Sequence, residues 1–123
     1  MTAYLIADTD IHDPVGYEQY KALTRPIAEK FGGEYLVRGG ELRVEDDDLW
    51  SPTRLVIISF PDLASANAFL DSDEYAPVKE MRRQYAKSTV VMVNGGIPSS
   101  SPTGAVGVNV HGKALEARNW TDR

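Results

Sequence analysis

The sequence predicts an α+β fold in which a four-stranded antiparallel sheet carries two helical segments on one face. Three observations predict it. Short β-prone runs and helical runs follow one another as strand, helix, strand, strand, helix, strand over residues 1–94. The two helical runs carry apolar residues on a 3.6-residue period. The two most apolar strands, Leu55-Val56-Ile57-Ile58 and Val90-Val91-Met92-Val93, are apolar at both parities, as a strand dry on both faces requires.

Residues 3–9 form the first strand. Asp10-Ile11-His12 then leads into Asp13-Pro14, a helix-start pair: Asp13 accepts from an orphan first-turn amide, and Pro14 loses nothing because its missing N–H has no partner there. Tyr20, Leu23, Ile27 and Phe31 make one stripe, and Gly32-Gly33 supplies a left-handed stop. Pro26 inside this helix predicts a kink near Leu23 to Arg25. The stretch from Glu34 to Glu45 reads as strand on both sides of a bend at Gly39-Gly40. Glu45-Asp46-Asp47-Asp48 is an acidic turn, and Thr53 to Phe60 is the third strand, ended by Pro61. Asp62 caps a helix over 63–71 with Leu63, Ala66, Phe69 and Leu70 inward. Ser72 restarts a helical stretch carrying Tyr75, Val78, Met81 and Tyr85, and Ser88 to Asn94 closes the sheet.

This βαββαβ order is the ferredoxin-like arrangement. Two helical segments cover one sheet face only. The second apolar face then needs a partner, and a second copy about a two-fold axis is the simplest one, so a sheet-to-sheet homodimer is expected. After Asn94 the chain turns to Gly, Pro and Ser, which is linker chemistry. Residues 95–123 are expected to be a tail separate from the domain at 1–94. It is either loose or an arm laid on the partner, with an edge strand at 105–110 and helical turns at 113–119.

Composition excludes several classes of function. The 123 residues are 42% hydrophobic, enough for one core, and contain no cysteine, which removes disulfide scaffolds, thiolate zinc sites and cysteine nucleophiles. A net charge of −5 repels phosphate backbones and anionic bilayers, so neither nucleic acid nor membrane is expected as a partner. The first residues lack a cationic leader and no apolar run is long enough to span a bilayer, which predicts a cytoplasmic protein. Phosphate-loop, dinucleotide, nucleophile-elbow and zincin motifs are all missing. With only His12 and His111 and no spaced acidic loop, no metal is expected. Glu45 to Asp48 reads as a solvated turn, and Asn119-Trp120-Thr121 reads as a coincidental glycosylation triplet. No cofactor is expected either; haem is disfavoured because no histidine lies on a helix stripe facing the sheet.

What remains is a constellation of polar residues at strand ends and helix starts: His12, Tyr17, Tyr20, Arg38, Arg54, Tyr75 and Arg82. Arg38 follows Leu36 on one face, and Arg54 shares parity with Val56, Ile58 and Phe60, so at least one guanidinium should lean over a buried region and need an acceptor. Either it pairs with Glu34, Glu41, Asp8 or Asp10, or it clamps an anion or enolate in a pocket between sheet and helices. In the second case Tyr17 or Tyr75 donates a hydrogen bond, Arg82 adds to the binding set, and His12 is the candidate catalytic proton carrier. The competing class is a dimerisation or interaction module in which these residues are all structural. A cavity of roughly 300 Å³ or more between sheet and helices distinguishes the two.

Asp13-Pro14-x-x-Tyr17-x-x-Tyr20, Pro26, Gly32-Gly33-x-Tyr35-Leu36-Val37-Arg38-Gly39-Gly40, Trp50-x-Pro52-x-Arg54, Phe60-Pro61, Ser72-x-x-Tyr75-x-Pro77 and Arg82 together resemble the family called domain of unknown function 1330. The resemblance spans about 2–94. It implies a dimeric α+β barrel in which two ferredoxin-like protomers pair their sheets. It assigns no reaction, because similar barrels host cofactor-independent monooxygenases, lactone isomerases, haem-dependent dismutases and stress-induced proteins. The Asp-Asp-Asp-Leu turn before Trp50 departs from the family's more usual Glu-Gly type turn.

Overall fold

Local capping signals set where the helices begin and end in the computed structural model, which describes residues 1–95. Strand β1 (Ala3–Ile11) leads to helix α1 (Pro14–Lys30), where the Asp13 carboxylate accepts from the Gly16 amide at 3.1 Å and Pro14 takes the first turn. The helix ends in a Schellman motif. The Gly32 N–H donates to the Glu29 carbonyl, the Gly33 N–H donates to the Ala28 carbonyl, and Gly32 takes φ +88°. Helix α1 runs unbroken through Pro26. Its buried side is Tyr17, Tyr20, Thr24, Ile27 and Ala28, and Leu23 is 48% exposed, contrary to the expected stripe. At 100° per residue Leu23 lies well off the mean direction of Tyr17, Tyr20, Thr24 and Ala28, so it falls on the flank.

Strand β2 (Glu34–Arg38), strand β3 (Leu55–Phe60), helix α2 (Leu63–Asp71), helix α3 (Ala76–Tyr85) and strand β4 (Ala86–Asn94) complete the domain. The sheet is antiparallel in the order β2-β3-β1-β4, which is the ferredoxin-like order. Asp62 caps α2 by accepting from the Ser65 amide, and the Ser72 hydroxyl accepts from the Tyr75 amide ahead of α3.

Two strand expectations need correction. The second strand stops at Arg38 instead of continuing to Glu45. β2 is an edge strand, and Gly39, at φ +72°, turns the chain out of the sheet once its amide has bonded the Leu55 carbonyl. A register shift between Tyr35 and Val37 also breaks the alternation around Leu36. Arg38 therefore pairs with Val56 and shares the helix-side face with Tyr35, while Leu36 is exposed.

The core lies between the sheet and the helices. Ala3, Leu5, Ala7, Ile58 and Phe60 face inward, and Phe69 stacks on Phe60 at 5.5 Å between ring centres and packs tilted against Tyr75 at 4.4 Å. The opposite sheet face carries Tyr4, Ile6, Val37, Leu55, Ile57, Val91 and Val93. Val91 and Val93 remain 45% and 49% exposed there. No helix among the described residues is long and apolar enough to cross a membrane. The edge strand, helical turns and partner arm expected beyond residue 95 lie outside the described residues.

Candidate functional site

Inward alternation on β1 and β3 floors a cavity with Leu5, Ala7, Thr9, Val56 and Ile58, and α1 roofs it with Tyr17, Tyr20, Lys21 and Thr24. Its polar wall comes from five further residues: Tyr35 and Arg38 on β2, Arg54 just before β3, Tyr75 at the start of α3, and Arg82 within it. The cavity measures about 50 Å³. That is below the roughly 300 Å³ usual for drug-sized ligands and holds about four water-sized positions.

Tyr17, Arg38, Arg54, Tyr75 and Arg82 thus meet around one cavity, as does Tyr20. His12 is not brought there. Strand β1 runs on to Ile11, so His12 lies beyond the cavity end, exposed, with its amide donating to the Tyr85 carbonyl at 3.0 Å. Proton transfer by His12 has no geometric support in this arrangement.

The arginines are held without carboxylates. Among the described residues none of Arg38, Arg54 and Arg82 forms a salt bridge, so the expected pairs with Glu34, Glu41, Asp8 or Asp10 are not made. Arg54 Nη1 donates to Thr9 Oγ1 at 3.3 Å, and its guanidinium lies 5.8 Å from the Tyr17 ring centre. A Cβ on Gly39 would sit 2.6 Å from Arg54 Nε, so this glycine leaves the space that the side chain occupies. Arg38 lies 5.1 Å from the Tyr35 ring centre and is exposed. Arg82 is 8% exposed and donates from Nη1 to the Tyr75 hydroxyl at 3.2 Å, while its Nε has no partner. Thr24 Oγ1 is a second buried polar atom of the cavity without a partner.

Asp8 has a different task. Burial pushes its carboxyl up, but bonds from the Arg54 and Thr53 amides, the Trp50 indole and the Thr53 hydroxyl outweigh burial and hold it below the usual carboxylate range. It pins the loop entering β3 and so places Arg54.

The hydroxyls form a chain. Tyr20 Oη and Tyr75 Oη are 2.8 Å apart, and Arg82 donates to the second of them. Burial pushes the Tyr75 phenol well above the ordinary range; Tyr20 adds to the shift and Arg82 opposes it. Burial likewise raises Tyr17, with Tyr20 adding and Arg54 and Arg82 opposing. The Tyr35 phenol is pushed up to about 12 by burial and by Tyr20, against the pull of Arg38. At neutral pH these phenols are therefore hydrogen-bond donors, available to an oxygen acceptor and unsuited to act as bases. Tyr35 and Thr24 are cavity residues outside the expected set; one stood in a strand run and the other beside a helix stripe, with no polar signal of its own.

Fold and cavity together define a small ferredoxin-like α+β protein with an arginine- and tyrosine-lined pocket between sheet and helices. The chain belongs to the family described as domain of unknown function (DUF1330), which matches residues 2–96. No curated protein matches it. A protein of unknown function from Rhodopseudomonas palustris shares the fold at 17% identity and TM-score 0.60, covering 79% of this chain and 84% of that one. A dimeric ferredoxin-like protein of unknown function from Jannaschia sp. aligns at 14% identity and TM-score 0.56, over 76% and 98% of the two chains. SnoaB, a cofactor-independent oxygenase from Streptomyces nogalater, aligns at 18% identity and TM-score 0.55, over 77% and 93%. These likenesses establish the fold.

Proposed function

We propose that this protein is a homodimer that binds or converts a small anionic or carbonyl-containing molecule in the pocket between sheet and helices. One observation carries the reading: Arg82 is buried on the cavity wall with no carboxylate partner among the described residues and an unbonded Nε. A buried guanidinium without a counter-charge costs several kcal/mol, so folds retain one where a ligand supplies the missing charge. The raised phenols add neutral donors for a carbonyl or enolate oxygen. Homodimerisation is supported by the apolar second sheet face and by the dimeric likeness from Jannaschia sp..

The small enclosed volume favours a second reading, a non-catalytic dimerisation or interaction module. Native mass spectrometry of the full chain separates them. The proposal expects a species of twice 13.6 kDa carrying added small-molecule mass that is lost in Arg82→Met. A dimer that never gains mass with offered carboxylates supports the module instead. Val91→Glu, which sets a charge on the outer face, should leave only the monomer; an unchanged dimer refutes sheet-to-sheet pairing.

A further inference from the structure

Resting on the reading above, we infer that the cavity takes a carboxylate of one or two carbons, held on the free edge of the Arg82 guanidinium. Size sets the first limit. The cavity measures about 50 Å³, room for about four water-sized positions, and acetate has four non-hydrogen atoms. Each further methylene needs space that the wall does not give, because Phe69 and Tyr75 there are buried and packed at 4.4 Å between ring centres.

The donors set the second limit. Arg82 uses Nη1 to bond the Tyr75 hydroxyl at 3.2 Å, its sole side-chain hydrogen bond among the described residues. The other edge of a guanidinium carries Nε–H and an N–H of Nη2 side by side, a spacing that matches the two oxygens of a carboxylate. On that edge Nε is buried and has no partner. Thr24 Oγ1 is buried and unpartnered as well, and Thr24 follows Tyr20 by one turn on the buried side of α1. The phenols leave one more donor. The Tyr20 and Tyr75 hydroxyls, 2.8 Å apart, share a single hydrogen bond, and Arg82 donates to Tyr75, so one phenolic hydrogen is left over whichever ring donates to the other. A carboxylate, with two oxygens and about four lone-pair sites, answers this set of donors.

Charge and polarity set the third limit. Neither Arg82 nor Arg54 pairs with a carboxylate among the described residues, so the wall favours an anion over a neutral amide of the same shape. Beneath the donors of α1 the floor is apolar, with Leu5, Ala7, Val56 and Ile58. A methyl group suits that floor, whereas the third oxygen of bicarbonate or nitrate would lose its hydration there without a donor to replace it.

Titration of the nitrogen-15-labelled full chain with acetate, butanoate and acetamide at constant ionic strength, followed on the Arg82 Nε–H resonance, tests this. Acetate is expected to shift that resonance saturably, with butanoate and acetamide each binding at least tenfold more weakly. Thr24→Val removes a hydroxyl that bonds nothing else among the described residues, so it should keep the fold and weaken acetate about fivefold. Arg82→Lys keeps the charge and removes the paired N–H edge, so it should weaken acetate at least tenfold, read on the Tyr75 amide. Butanoate or acetamide binding as tightly as acetate, or acetate binding indifferent to either substitution, overturns the compact-carboxylate site while leaving a pocket for a small anionic or carbonyl molecule standing. Binding of none of the three compounds overturns this inference together with the reading on which it rests.

Discussion

If Arg82 is kept for a ligand, the ligand-free protein should be more stable without it. In Arg82→Met the side chain keeps its apolar stem and much of its length. The loss is one hydrogen bond from Nη1 to the Tyr75 hydroxyl at 3.2 Å, worth about 1 kcal/mol. The gains are relief of a buried unbonded Nε, about 1–3 kcal/mol, and relief of a charge held from water without a counter-ion, several kcal/mol. A cavity left by the shorter side chain returns part of that. The balance is a stabilisation of roughly 2 kcal/mol, which in a domain of this size raises Tm by about 10 °C. Urea titration and thermal melting followed by circular dichroism measure it, and the same melts with a small carboxylate such as acetate should show stabilisation of the parent protein and none of the variant. A variant that loses 2 kcal/mol or more makes Arg82 a structural strut and refutes the reasoning.

Three further substitutions probe how the site is positioned. Gly39→Ala strains a residue at φ +72° and drives a Cβ into Arg54 Nε, so it should cost about 1–2 kcal/mol and weaken acetate binding about tenfold; unchanged affinity would show that Arg54 is not held by that contact. Asp8→Asn weakens four bonds from Trp50, Thr53 and Arg54, for an expected loss of about 2–3 kcal/mol in urea unfolding. Because the folded carboxyl titrates below its unfolded value of 3.8, its contribution is present above that pH and is lost as pH falls through the lower folded value. Stability of the parent protein should therefore fall more steeply than that of Asp8→Asn below about pH 4; parallel curves would contradict this. Thr9→Asp places a carboxylate where Arg54 Nη1 now meets a hydroxyl at 3.3 Å, and it should supply the missing counter-ion, preserve or raise Tm, and weaken acetate binding at least tenfold. Undiminished binding would exclude Arg54 from the site.

What the sequence made legible was local. Asp13-Pro14, Gly32-Gly33 and Asp62 each act within one helical turn: the first and last start a helix where expected, and Gly32-Gly33 ends one. Strand extent is not local: Arg38 ends β2 because an edge strand has one neighbour and Gly39 leads away from it, which no property of residues 41–45 announces. The shift at Leu36 likewise reverses the face of Arg38 without a glycine at that position to signal it. For the site, an arginine within an otherwise apolar run was the useful signal, since its charge must find an acceptor somewhere. Tyr35 and Thr24 carried none, because a phenol or hydroxyl with an apolar body reads as packing until the neighbours are known. His12 shows the opposite limit: its chemistry is suited to proton transfer, but the length of β1 sets it beyond the cavity.

The unpaired arginines do not reflect a shortage of acids. The chain has 18 carboxylate side chains against 13 lysines and arginines. Asp8 stands one residue from Thr9, which contacts Arg54 in the cavity, yet the period-two geometry of β1 sends its carboxylate to the opposite sheet face. There it accepts the backbone amide of Arg54 while leaving the guanidinium free among the described residues. A one-residue slip of β1 would turn Asp8 to the cavity side and neutralise Arg54. The register of β1 is held by its pairings with β3 and β4 and by inward Ala3, Leu5 and Ala7. The packing that stabilises the sheet therefore also keeps the nearest carboxylate out of the cavity, and the positive potential of the site follows from strand parity as much as from the arginines.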